Sequence, residues 1–154
     1  MSEAIDELLV GHWSSLAFSY GVMEAADLGF LANGCGWSAW YNAYSLCVTR
    51  FRWSCPEPGV LQLHAQWLIE GTPAARPGRP AFATTKEPEA VNELSRHRYT
   101  IGHARPMPGA EPLPAIVFQE HIDSAHTFER GPIEITPEDD PSHHALSARK
   151  TTDH

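Results

Sequence analysis

His97, Tyr99 and Glu120 are the residues whose types and spacing could carry proton chemistry. His97, Tyr99 and His103 fall on one face of an extended segment, opposite Arg96 and Arg98. Two arginines mark their face as the solvent side, which turns His97 and Tyr99 inward. Glu120 shares a face with Ile116 and Phe118 in the following extended segment. If that face also points inward, Glu120 meets His97 or Tyr99. Burial in apolar surroundings raises a carboxylate pKa, and a paired imidazole draws it back. Such a set suits general acid–base catalysis or the anchoring of a polar ligand head. The bland alternative is a hydrogen-bonded pair that plugs an apolar interior.

Other chemistries find little support. There is no Gly-x-Ser-x-Gly, no phosphate-cradling glycine loop and no His-Glu-x-x-His. Cys35, Cys47 and Cys55 are odd in number and lack a C-x-x-C spacing, so free buried thiols are expected. A Cys47 or Cys55 thiolate would need a neighbouring histidine. His97 and His103 lie too far apart along an extended strand, ~20 Å, to share an ion. His121, Asp123 and His126 could offer three ligands across a turn. Histidines at a turn are more often solvated, and neither a metal nor another cofactor is expected.

A second set of residues bears on binding. Phe30, Trp37, Tyr41, Phe51, Trp53 and Trp67 are candidates for an aromatic wall. Such rings can fill a small interior completely or line a cavity for a flat, apolar molecule.

The elements that must position these residues are short strands. The pattern predicts strands near 10–20, 25–32, 35–41, 46–55, 60–70, 91–104, 113–121 and 126–131. A helical turn over Ser2–Leu9 precedes them, with Ser2 as its cap. A Pro/Gly/Ala-rich segment, 71–88, interrupts the rhythm, and Glu87–Ser95 offers a further helical turn. All fifteen Phe, Trp and Tyr residues lie between Trp13 and Phe128, so the folded body is expected to span 1–135 as one domain. Residues 136–154 read as a polar, mobile tail, and His143-His144 within it carries no functional weight.

Register is legible at one hairpin. A five-residue loop over 56–60 sets Trp53 against Leu63, Phe51 against Ala65, Thr49 against Trp67 and Arg52 against His64. That places Phe51, Trp53, Leu61, Leu63 and Trp67 inside; a one-residue slip would reverse every face. At the preceding hairpin, Asn33-Gly34 as the turn centre pairs Phe30 with Trp37 and Leu28 with Ala39. Bulk favours Leu28, Phe30, Trp37 and Tyr41 inside. The other face, with Gly29, Gly36, Ser38 and Trp40, would instead leave room for a ligand.

Gly11-His12-Trp13 at the start of the first strand, a short helical entry before it, and eight meandering strands resemble the calycin superfamily, in particular intracellular bacterial lipocalin-like barrels. The resemblance implies an all-β fold: an eight-stranded antiparallel up-and-down barrel with the Trp13 ring closing one end. It also implies that an arginine of the last strand, here Arg130, packs across that ring, a contact of ~1 kcal/mol. The chain departs from true lipocalins in showing no long C-terminal helix and no disulfide pair.

Charge and composition exclude some partners. A net charge of −8 disfavours nucleic acid, since phosphate binding needs a surplus of Lys and Arg. No apolar run reaches the ~18 residues of a membrane span. The acidic start, Met1 to Glu7, does not read as a secretory signal, so a cytoplasmic location and a monomer or homodimer are expected. Three functions compete. The first is binding of a small, largely apolar molecule in the barrel. The second is a cofactor-independent cyclase or isomerase acting on such a molecule. The third is a solid barrel that serves as an interaction protein.

Overall fold

Side chains that alternate between the inner and outer faces of the strands, with glycines at the sites of closest approach, close the sheet upon itself. The computed structural model describes residues 4–19, 23–75 and 78–147. The described strands are β1 (Gly11–Ser14), β2 (Ala25–Phe30), β3 (Cys35–Tyr41), β4 (Leu46–Glu57), β5 (Val60–Pro73), β6 (Phe82–Thr85), β7 (Glu89–Ala104), β8 (Leu113–Ile122) and β9 (Ala125–Arg130). Eight of them form a closed antiparallel barrel in the order β1-β2-β3-β4-β5-β7-β8-β9, with β9 returning to β1. The closing pairs are Trp13 with Arg130 and Ser14 with Glu129. No helix among the described residues is long and apolar enough to cross a membrane.

Side chains from around the ring meet in the lumen. Trp13, Leu28, Phe30, Phe51, Trp53, Leu61, Leu63, Ile116, Phe118 and Phe128 form one buried cluster. Its rings touch edge to face: Phe30 and Trp53 centroids lie 5.1 Å apart, and Phe118 and Phe128 5.8 Å. Full burial of each such side chain contributes roughly 1.5–3 kcal/mol. The N-terminal segment closes this end. Its 3-10 turn, Glu7–Leu9, is capped by Asp6, whose Oδ1 accepts from the Leu8 N–H at 3.0 Å. Ser2, the cap expected from the sequence, lies outside the described residues.

The two hairpins treat the sequence differently. Phe51↔Ala65, Arg52↔His64 and Trp53↔Leu63 pair as expected. A bulge at Gln66 then shifts β5 by one residue, so Trp67 faces Arg50 and points outward. At β2–β3 the pairing is Phe30↔Gly36, Leu28↔Ser38 and Gly29↔Trp37. The expected Phe30–Trp37 pairing is therefore corrected by one residue. The cause is the turn: Gly34 at φ +91° takes the left-handed position of a three-residue loop, and the Leu31 N–H donates to the Cys35 carbonyl at 2.8 Å. Trp37 and Tyr41 are thereby sent to the outer face. There the Trp37 indole lies across Gly29, where a Cβ would stand 2.3 Å from the ring, and inside the barrel Phe51 uses the space beside Gly36 in the same way.

Other boundaries also differ. β1 ends at Ser14 and not near residue 20, because serines 14, 15 and 19 bond locally and a 3-10 turn forms over Leu16–Phe18. The segment 71–88 is not wholly a loop. β5 runs on to Pro73, and β6 folds back against it, with the Thr84 carbonyl pressed onto Gly71. Glu87–Ser95 runs into β7 and forms no helical turn.

A second buried cluster sits on the outer face of β3 and β4: Leu31, Trp37, Ala39, Leu46 and Val48, with Tyr41, Phe82 and Ile135 packed on it. Beyond β9 the chain reaches this face. A capping box starts the 3-10 turn Pro137–Asp139, buried Asp140 Oδ2 meets Arg50 Nε at 3.0 Å, and Leu146 of helix α1 (His143–Ser147) is buried. This stretch of 136–147 has no apolar period, and it docks mainly through polar contacts.

Candidate functional site

Above the aromatic cluster the lumen turns polar. Cross-strand partners share a face, so Ser38 and Trp40 follow Leu28 and Ala26 inward; Thr49 and Cys47 follow Ser38 and Trp40; and Glu70 follows Cys47. The β8–β9 connection adds a further carboxylate. Asp123 and Ser124 have φ of 52° and 70°, a two-residue turn matched to the twist of a hairpin. This turn aims Asp123 at Ser38, whose hydroxyl hydrogen-bonds it. Burial raises the Asp123 pKa, and the Ser38 bond offsets only part of that rise.

The rim is acidic. Glu24 Oε1 accepts from Ser124 Oγ and from Trp40 Nε1, both at 2.7 Å, tying the start of β2 to β3 and to the β8–β9 turn. These two bonds hold the Glu24 carboxyl below its ordinary range. Cys47 Sγ donates to Glu70 Oε2 at 3.7 Å. Burial first, and then Glu70, push the Cys47 thiol up, with Lys86 as the opposing cation. A thiol held protonated is a poor nucleophile, so Cys47 offers a hydrogen-bond donor and not a thiolate.

The residues singled out from the sequence divide into groups. Phe30, Phe51 and Trp53 meet inside the barrel, and Trp53 Nε1 donates to the Leu31 carbonyl at 3.0 Å. Trp37 and Tyr41 do not join them, for the register reason given above. Trp67 lines an outer groove of about 390 Å³ with Cys35, Gly36, Arg50, Phe51, Arg52 and Gln66. His97 and Glu120 come together on the lumen face of β7 and β8, where Glu120 acts on the imidazole through space. Tyr99 is drawn elsewhere: its hydroxyl donates to Asp6 Oδ2 at 2.6 Å and lies 3.7 Å from Cys55 Sγ, and burial raises its pKa. The His121 and His126 ring centroids lie 3.9 Å apart with the rings tilted at 44°, Asp123 turns to Ser38, and no metal-holding group of three exists among the described residues.

Two features had no sequence signal strong enough to find them. Ser38 and Asp123 are far apart in the chain and meet only through the corrected register. His12, the middle residue of Gly-x-Trp, is buried on the outer face with its Nε2 3.4 Å from Asp27 Oδ2, and the Tyr41 hydroxyl donates to Asp27 Oδ1 at 3.2 Å.

Asp123 makes a pH-dependent prediction. A carboxyl with a raised folded pKa favours the folded state when protonated, and that contribution fades as pH rises from the ordinary aspartate range through the folded pKa. Asp123→Asn removes the loss. Its melting temperature, relative to the unmodified protein, is expected to climb between pH 4 and pH 8. An offset that stays constant with pH would report only the better fit of asparagine to a left-handed turn.

No protein-family model matches the chain, and neither a curated protein nor a solved structure matches it at a significant level.

Proposed function

We propose that the protein binds a small molecule in the upper lumen of its barrel. The observation that carries this reading is the division of the interior. Phe30, Phe51, Trp53 and Phe118 build an apolar floor, and above it Ser38, Trp40 and Asp123 present hydrogen-bonding groups. That combination suits a largely apolar body with one polar head. The closed eight-stranded ring, Gly11-x-Trp13 and the Arg130 guanidinium 4.4 Å from the Trp13 ring centroid support a calycin-like barrel, a shape suited to a guest molecule.

The test is a fluorescence titration with N-phenylnaphthylamine, a neutral apolar probe. The unmodified protein should show saturable, one-to-one enhancement. Ser38→Phe, which sets a ring against Asp123, should abolish it while circular dichroism confirms an intact β fold. A folded Ser38→Phe protein that binds the probe as before would rule out the lumen as the site.

A further inference from the structure

Ser95, His97 and Glu120 lie along the seam where β7 and β8 part. The paired register of these strands ends at Tyr99↔Phe118, and Ser95 beyond it is exposed although it shares the lumen-side face of β7 with His97. Ser95 Oγ stands 2.9 Å from His97 Nε2. His97 Nδ1 is buried and has no hydrogen-bond partner, a costly state for an imidazole nitrogen. A charge that acts on this ring is Glu120, which occupies the same face of the neighbouring strand. His97 and Glu120 also line one pocket of about 250 Å³, together with Glu57, Val60, Arg96, Arg98 and Gln119.

From this geometry we propose that Ser95, His97 and Glu120 form a nucleophile–base–carboxylate triad that hydrolyses small carboxylic esters. In the Nδ1-protonated tautomer the Ser95 hydroxyl donates to Nε2, the relation a base needs to activate a serine. Burial lowers the His97 pKa while Glu120 raises it, the first effect being larger, so the ring is a neutral base at neutral pH. Glu120 is exposed and free to turn onto Nδ1 when a substrate displaces water; such bonds often close only in the complex.

The steps balance. Ser95 Oγ attacks the ester carbonyl carbon as its proton passes to His97 Nε2. The C–O bond to the alcohol breaks, and the alcohol leaves with the His97 proton. Water, deprotonated by His97, then releases the acid from the acyl-Ser95 ester and restores the serine.

The experiment uses the full chain with p-nitrophenyl acetate and butyrate. Turnover above the imidazole background is expected, with the acyl group trapped on the Ser95 peptide in mass spectrometry. Ser95→Ala and His97→Gln should each lower the rate roughly a hundredfold, and Glu120→Gln less. Ser95 should also react with a fluorophosphonate, and this labelling should fail in His97→Gln. Absence of turnover, or hydrolysis that survives in Ser95→Ala, would overturn the proposal and leave the Ser95–His97 bond as a surface contact only. Because Ser38→Phe probes binding independently of these residues, failure here leaves the lumen-binding proposal to its own test.

Discussion

Trp13→Ala is expected to lower stability by about 3–5 kcal/mol, the range for removing a large aromatic from a packed core. Trp13 is 1% exposed, and its Nε1 donates to the Leu9 carbonyl at 2.9 Å, which holds the N-terminal turn against the barrel end. Arg130 covers the ring and extends the same lock, its Nη1 and Nη2 donating to the Val10 and Leu8 carbonyls at 3.0 Å. The substitution therefore opens a cavity, frees a carbonyl and loosens the closure between β1 and β9. Arg130→Ala keeps the indole and should cost less, about 1–2 kcal/mol. Urea denaturation measures both. A Trp13→Ala cost below about 1 kcal/mol would mean that this ring does not close the barrel.

Asp27→Ala should follow at about 2–3 kcal/mol. The carboxylate is 4% exposed and serves both His12 and the Tyr41 hydroxyl. Its loss takes this partner from buried His12 and from the half-buried Tyr41 hydroxyl on the outer face. Tyr41→Phe removes a single hydrogen bond from the same cluster and should cost about 1 kcal/mol. Equal costs for the two variants, again by urea denaturation, would show that His12 does not depend on Asp27.

The barrel itself was legible because its signals are local. Alternation of bulky and polar residues, Asn33-Gly34 and the Pro56 to Gly59 turn mark strands and reversals without reference to anything distant. Trp53↔Leu63 could be read because a one-residue error there would bury Gln62 and His64. At β2–β3 both faces carry apolar groups, so hydrophobicity did not decide between them, and the turn geometry around Gly34 did. That single residue of register moved Trp37 and Tyr41 outward and brought Ser38 and Trp40 inward. The Gln66 bulge likewise has no composition signal, and it turned Trp67 away. The shared face of His97 and Glu120 follows from strand alternation alone. An isolated serine in a strand, such as Ser95, carries no motif, and the direction of Asp123 depends on two left-handed residues in a turn.

An amide chemical-shift map of the protein with and without N-phenylnaphthylamine tests the central claim most directly. Binding in the lumen predicts shifts concentrated at Ser38, Trp40, Thr49 and Asp123 and on the neighbouring turn. Shifts confined to the outer groove of Cys35, Arg52, Gln66 and Trp67, or none at a probe concentration that saturates comparable barrels, would contradict it.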